Sequence, residues 1–186
     1  MGDFEWAITT AFNTYFEANG IEAIAYRLKQ SRFAPQLMDI LVDSRYPEYY
    51  LAIECKSVDA RKARALYFKQ HFNSAGGTHQ LVREDEFISR SGRTGVLAVE
   101  LRRGPGKPRS CHLVPWNVVM QPFRSGEVCL TVHELESYPA LPRKGGAYQV
   151  TDGEIAQVFT YIPPDSSPAN LGIEDLDSSD LELDSA

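Results

Sequence analysis

Two apolar, β-rich runs separated by a turn constrain this chain more than any other feature. They span 37–42 and 49–56, and Asp43, Ser44 and Pro47 supply turn chemistry between them. A chain with such a hairpin folds around a sheet. Three ionisable residues, Asp39, Glu54 and Lys56, interrupt the apolar runs. Strand side chains alternate between faces, so Glu54 and Lys56 point one way and Ile53 and Cys55 the other. On the first strand the same rule puts Met38, Ile40 and Val42 on one face and Asp39 on the opposite one.

If the strands pair, two carboxylates and an ammonium converge at one spot. Metal-dependent phosphodiester hydrolysis needs this set. Carboxylates hold a hard divalent cation, and a lysine polarises the attacking water. A half-exposed structural hairpin carries the same residue types, and burial separates the two readings. Glu54 follows Leu51, Ala52 and Ile53 and precedes Cys55, the pattern of a central strand. A carboxylate there is costly without a partner, and Lys56 or a metal relieves that cost.

The 186 residues suffice for one domain with a sizeable core, and a 43% hydrophobic content suits a globular protein. No apolar run approaches the roughly 20 residues of a membrane span. The start, Met1-Gly-Asp-Phe-Glu, has no basic and apolar leader, so the expectation is an intracellular, cytoplasmic protein without membrane association. Trp6 stands where myristoylation needs Ser or Thr. Cys55, Cys111 and Cys129 are odd in number and widely spaced, which predicts reduced, buried thiols and no zinc site. His71, His79, His112 and His133 form no metal pattern.

The net charge of −6 conceals an asymmetry. Seven of the 25 acids lie in 163–186, where there is no Lys or Arg. The remaining 18 acids face 19 Lys and Arg, so residues 1–162 carry +1. Residues 61–109 hold eleven Lys or Arg and four acids, a net of +7. A basic middle with an acidic tail suits a polyanion binder, and an ordinary solvated surface is the plainer reading.

In chain order, the periodicity predicts a helix over 3–19, capped by Asp3 and ended by Gly20. Glu5 lies in its first turn, where the helix dipole favours an acid for purely structural reasons. A strand follows at 21–28, then a basic loop at 29–36, then the hairpin. Residues 65–72 read as a short strand, 73–78 as a loop, and 79–90 as a helix closed by Gly92. Strands are expected at 94–101, 110–115 and 128–135, and a short helix at 152–159. Residues 163–186 read as a disordered acidic tail.

This order of elements resembles the PD-(D/E)xK nuclease superfamily, and within it the archaeal Holliday-junction resolvases. The resemblance covers roughly residues 3–115. It rests on Asp39, fifteen residues before Glu54, with Cys55-Lys56-Ser57 following. It rests also on Glu5 in the first helix, Arg27 and Ser31 before the motif Asp, and His79-Gln80 opening the later helix. The chain departs from the family pattern at Met38, where the family has Pro, and in an expanded loop after Lys56. Residues 116–186 match nothing in it.

The resemblance implies an α/β fold with a restriction-endonuclease-like mixed central sheet flanked by helices. It implies a nuclease domain over 1–162, with its motif-bearing core at 3–115 and an extension at 116–162. It implies hydrolysis with Mg2+, for which Mn2+ is a substitute. Asp39, Glu54 and the Cys55 carbonyl would be ligands, with Glu5 bound through a water or to a second ion. Lys56 would hold the attacking water, and Gln80 would orient the water or the phosphate. For Gln80 an exposed polar helix position is the alternative. Arg27, Ser31 and Arg32 would contact DNA phosphates, with Lys69, Arg83, Arg90, Arg93 and the 102–109 turn extending that surface. The implied substrate is branched, four-way DNA cut by a homodimer whose apolar face would come from 94–101, 110–115, Trp116, Val118, Val119 and Phe123. The acidic tail would compete with DNA or dock a protein partner. A restriction- or repair-type endonuclease acting on ordinary duplex, and a non-catalytic DNA-binding module, are the alternatives.

Overall fold

A computed structural model describes residues 2–28 and 37–160. Ser31, Arg32 and the acidic tail lie outside the described residues. Helix α1 (Gly2–Asn19) forms because Phe4, Ile8, Ala11, Phe12, Tyr15 and Phe16 recur at helical spacing and are all buried. It ends in a Schellman motif. The Ile21 N–H donates to the Phe16 carbonyl at 2.9 Å, the Gly20 N–H donates to Glu17, and Gly20 takes φ +64°.

Strands β1 (Ala23–Arg27), β2 (Ile40–Ser44) and β3 (Leu51–Asp59) follow, then β4 (Ala65–Tyr67) and the single-turn helix α2 (Phe68–His71). A small hairpin, β5 (Ser74–Ala75) and β6 (Thr78–His79), leads into α3 (Gln80–Ser91). Then come β7 (Thr94–Arg102), β8 (Ser110–Pro115), α4 (Trp116–Arg124), β9 (Cys129–Thr131) and α5 (Val132–Glu136). A second small hairpin, β10 (Arg143–Lys144) with β11 (Ala147–Tyr148), precedes α6 (Asp152–Thr160).

The main sheet has five strands in the order β1-β2-β3-β7-β8. Only β3 and β7 run parallel, and α3 lies in the crossover between them. This is a mixed central sheet flanked by helices, as expected. One sheet face buries Ile40, Val42, Leu51, Ile53, Cys55, Val96, Ala98 and Leu113 with the aromatic side of α1. The other buries Val58, Leu97, Val99, Leu101 and Val114 with Leu81 of α3 and Trp116, Val119 and Met120 of α4. Each such side chain contributes about 1.5–3 kcal/mol by leaving water. Gly95 permits the close fit of α4, since a Cβ there would lie 2.7 Å from Trp116 Cβ.

The structure differs from the sequence expectations in places. Asp43 and Ser44 belong to β2, and the turn comes later, around the 3-10 segment Pro47–Tyr49. Met38 does not share a face with Ile40 and Val42 but packs with Leu41 and Ala52, because the chain bends at Asp39 and breaks the alternation. The expected strand at 65–72 becomes helical at Phe68, so that Phe68 and Phe72, four apart, both enter the core. The expected strand at 128–135 turns helical at Val132. A capping box there has Thr131 Oγ1 accepting from the Glu134 N–H at 3.1 Å, and the Thr131 N–H donating to Glu134 Oε2 at 2.6 Å. Cys129 is only half-buried, unlike Cys55 and Cys111. Trp116 and Val119, expected on a dimer face, are buried in this chain's own core. Among the described residues no helix is long and apolar enough to cross a membrane.

Candidate active site

A fork in the sheet positions the site. β2 pairs with β3 only from Val42–Leu51 to Ile40–Ile53, while β3 continues beside β7 to Asp59. From Glu54 onward, β3 therefore has no strand on its β2 side among the described residues. Asp39 stands where the two separate. Its N–H donates to the Ile53 carbonyl at 3.2 Å, and its own carbonyl accepts from the Leu28 N–H at 2.9 Å. Its carboxylate takes the place of the missing strand, because Oδ2 accepts from the Cys55 N–H at 2.8 Å. The N–H and C=O of one strand residue point to the same edge. The Cys55 carbonyl therefore also faces the open edge, beside Asp39.

On the face toward α3, Glu54 and Lys56 stand together as alternation requires. The Lys56 ammonium donates to Glu54 Oε1 in a buried ion pair, and it lies 4.8 Å from the centroid of the Phe72 ring. Gln80 opens α3 above them. Its Nε2 donates to Glu54 Oε1 at 2.9 Å and to Glu84 Oε1 at 2.6 Å, and its Oε1 accepts from the Asn73 N–H at 3.0 Å. The loop after Lys56 thus returns to fix the Gln80 amide. His79 caps α3 through Nδ1, which accepts from the Leu81 N–H at 3.3 Å.

Three carboxyls, Asp39, Glu54 and Glu84, share this region with a single ammonium. Glu54 is 2% exposed and Glu84 0%. Burial, then the Glu54 charge, pushes Asp39 up to about 7 even though the Cys55 N–H and Lys56 pull it down. Burial and the Glu54 charge push Glu84 up to about 10, so Glu84 keeps its proton at neutral pH. Burial works against the Lys56 ammonium, but Glu54, Asp39 and Glu84 outweigh it and leave its pKa raised. Glu84 Oε2 has no hydrogen-bond partner among the described residues. An excess of buried acid, partly neutralised by protons, is what a cation would relieve.

Among the described residues no group of three or more His, Cys, Asp or Glu side chains forms a ready metal cage. The donors at the fork are two carboxylates and the Cys55 carbonyl, all oxygen. That set fits Mg2+, which prefers oxygen and keeps several of its own waters. Glu5 projects from α1 near enough to raise the Asp39 carboxyl further. It is held by Arg27 in an ion pair, so these two expected site residues meet each other. Arg93, expected on a DNA surface, instead ties the sheet edge. It donates to the Val42 carbonyl at 2.9 Å and to Asp43 at 2.6 Å, and stacks 4.0 Å from the Tyr50 ring.

The structure therefore gathers Asp39, Glu54, Cys55, Lys56 and Gln80 at one place, with Glu5 and Arg27 at its margin. Sequence reasoning missed Glu84 and Phe72. Glu84 was signalled by its position four residues after Gln80, on the same side of α3. Phe72 carried no signal, because its contact with Lys56 depends on the fold of 60–72.

No protein-family model matches the chain, and no curated protein is similar enough to count as a relative. Among solved structures, the chain is similar to Hjc of Archaeoglobus fulgidus, a Holliday junction resolvase from an archaeal hyperthermophile. The two are 16% identical, the match covers 80% of this chain and 92% of that one, and the TM-score is 0.36.

Proposed function

We propose that this chain is a Mg2+-dependent endodeoxyribonuclease that cuts four-way DNA junctions. The observation that carries the reading is the fork, where the Asp39 carboxylate accepts from the Cys55 N–H on the edge that β2 leaves open and the Glu54–Lys56 pair stands beside it on the face toward α3. Asp39, Glu54 and that carbonyl would hold the ion. Mg2+, when bound, supplies Lewis-acid polarisation of a phosphoryl oxygen and a more acidic water. Lys56 is the buried cation beside those ligands, placed to donate to a water or to a phosphate oxygen as charge develops. Phe72 and the Glu54 carboxylate keep it charged and in place. Gln80, fixed by Asn73 and Glu84, presents its amide to Glu54 and orients that carboxylate. At the border of the site, Glu5 would bind the ion through a water or hold a second one, and Arg27, its ion-pair partner, would meet the substrate backbone.

One such site cuts one strand, and a junction needs two cuts, which a two-fold dimer would supply. A second reading is an endonuclease acting as a single chain on linear duplex. The burial of Trp116 and Val119 in the chain's own core favours it, because they no longer serve as a dimer face. Cleavage of a four-way junction beside linear duplex of the same sequence, in Mg2+ and in EDTA, tests the proposal. Mg2+-dependent cutting of the junction alone supports it. Equal cutting of both substrates favours the second reading, and no cutting of either removes the enzyme.

A further inference from the structure

β3 and β7 end side by side, with Asp59 and Arg102 as register partners. Beyond them, the turns after each strand enclose a cleft of about 330 Å3 lined by Asp59, Arg61, Arg102, Gly104, Pro105 and Arg109. Three guanidinium groups thus border one cleft with a single carboxylate. Asp59 holds Arg61 with a two-pronged bond, Nε to Oδ1 at 2.9 Å and Nη2 to Oδ2 at 2.7 Å. Gly104 makes room for the arm of Arg61. It takes φ +101°, and a Cβ there would lie 2.7 Å from Arg61 Cδ. Arg109 reaches back to the buried Glu100 only at 3.5 Å and leaves its guanidinium mostly exposed. The Arg102 carbonyl accepts from the Ala60 N–H at 3.0 Å, and the Arg102 guanidinium makes no hydrogen bond or ion pair with any described residue.

Like charges gathered in a concave site repel, and an anion resolves that repulsion. Guanidinium forks match the oxygens of a phosphate, and a pre-set arginine loses little freedom on binding one. The cleft lies on the same strand as the fork. Asp59 is four residues beyond Cys55, a distance of about 13 Å at strand rise. Both features lie on β3, so a polyanion that crosses the fork and runs along this strand would next meet the cleft.

We propose that the Arg61–Arg102–Arg109 cleft binds a backbone phosphate of the nucleic acid engaged at the fork. The inference rests on the nuclease reading for the identity of its ligand. It adds a second anchoring point, one that positions the backbone without reading sequence. Asp59 and Gly104 are positioning residues for Arg61 and do not touch the ligand.

The test is the affinity of the full chain for a labelled four-way junction and a linear duplex, in EDTA, over a range of salt. The Arg102→Ala/Arg109→Ala double variant should bind about tenfold more weakly at low salt. The slope of log affinity against log salt should fall by about 1. Arg102→Lys/Arg109→Lys should recover part of the affinity, since charge remains without the fork. Gly104→Ala should weaken binding by displacing Arg61. Arg45→Ala, which removes an exposed charge at the far turn, should leave affinity and slope unchanged. Wild-type affinity and slope in the double variant would overturn the site while leaving the nuclease reading intact. A wild-type chain that binds DNA without cutting it, together with a weakened double variant, would keep the site and remove the nuclease. If calorimetry shows inorganic phosphate binding that the double variant loses while its DNA affinity is unchanged, the cleft serves a free anion and the proposal fails.

Discussion

The two sides of β3 differ more than any other pair of regions in the molecule. On one side Ile53 and Cys55 are buried beneath the aromatic layer of α1. One residue along, on the other side, Glu54 is buried and Lys56 largely so, beneath Gln80 and Glu84. The first side is ordinary core, where burial of apolar area stabilises the fold. The second keeps three carboxyls and one ammonium out of water, which costs stability unless each is paired or protonated. A strand that carries both teaches where the fold gives up stability for chemistry. The charge retained in this core position is what the proposed site rests on.

The largest expected effect falls on the charged side. Lys56→Ala should abolish cleavage and also lower stability by about 3–5 kcal/mol, because it leaves Glu54 buried and unpaired. Denaturation of Lys56→Ala beside the Lys56→Ala/Glu54→Gln double variant checks this. The double variant should recover much of the lost stability and none of the activity. A single variant as stable as wild type would show that the pair costs little to break.

The apolar side should respond without any such rescue. Phe12→Ala removes a fully buried ring and should cost about 3–5 kcal/mol, read by urea denaturation. A loss below about 1 kcal/mol would mean that α1 is not the main cover of that face.

A smaller effect separates the sides by pH. The folded state holds Glu84 protonated up to about 10, whereas an unfolded glutamate titrates near 4.5. Its stabilisation is therefore full below 4.5 and is lost as pH rises toward about 10. Asp39, raised to about 7 from 3.8, adds the same sign over a lower window. Without metal, stability should fall between pH about 5 and about 9, and Glu84→Gln should flatten the upper part of that fall. An unchanged slope in Glu84→Gln would show that Glu84 is ionised in the fold.

The smallest effect lies away from both sides. Thr131→Ala removes the cap of α5 and should cost about 1 kcal/mol with no change in DNA affinity.

Much of the charged side was legible because strand alternation is a local rule. Glu54 and Lys56 follow from it directly, and a turn brings Asp39 near. The rule failed at Met38, where the bend at Asp39 that makes the fork also breaks the alternation. Thr131-x-x-Glu134 was a readable helix start, but the β-rich residues around it mask the signal. Glu84 stands one helical turn after Gln80, but its burial against Glu54 depends on how α3 docks, which that spacing does not carry. The arginine cleft needed the joint ending of β3 and β7, since Arg61 and Arg102 are distant in sequence.

The most direct measurement is thermal unfolding with and without Mg2+, in the wild type and in Asp39→Asn, followed by junction cleavage with the same samples. If the fork is a cation site, Mg2+ raises the wild-type melting temperature, leaves that of Asp39→Asn unchanged, and supports cutting only in the wild type. Equal Mg2+ shifts in the two proteins, or junction cleavage by Asp39→Asn at the wild-type rate, would contradict a metal-dependent site at the fork.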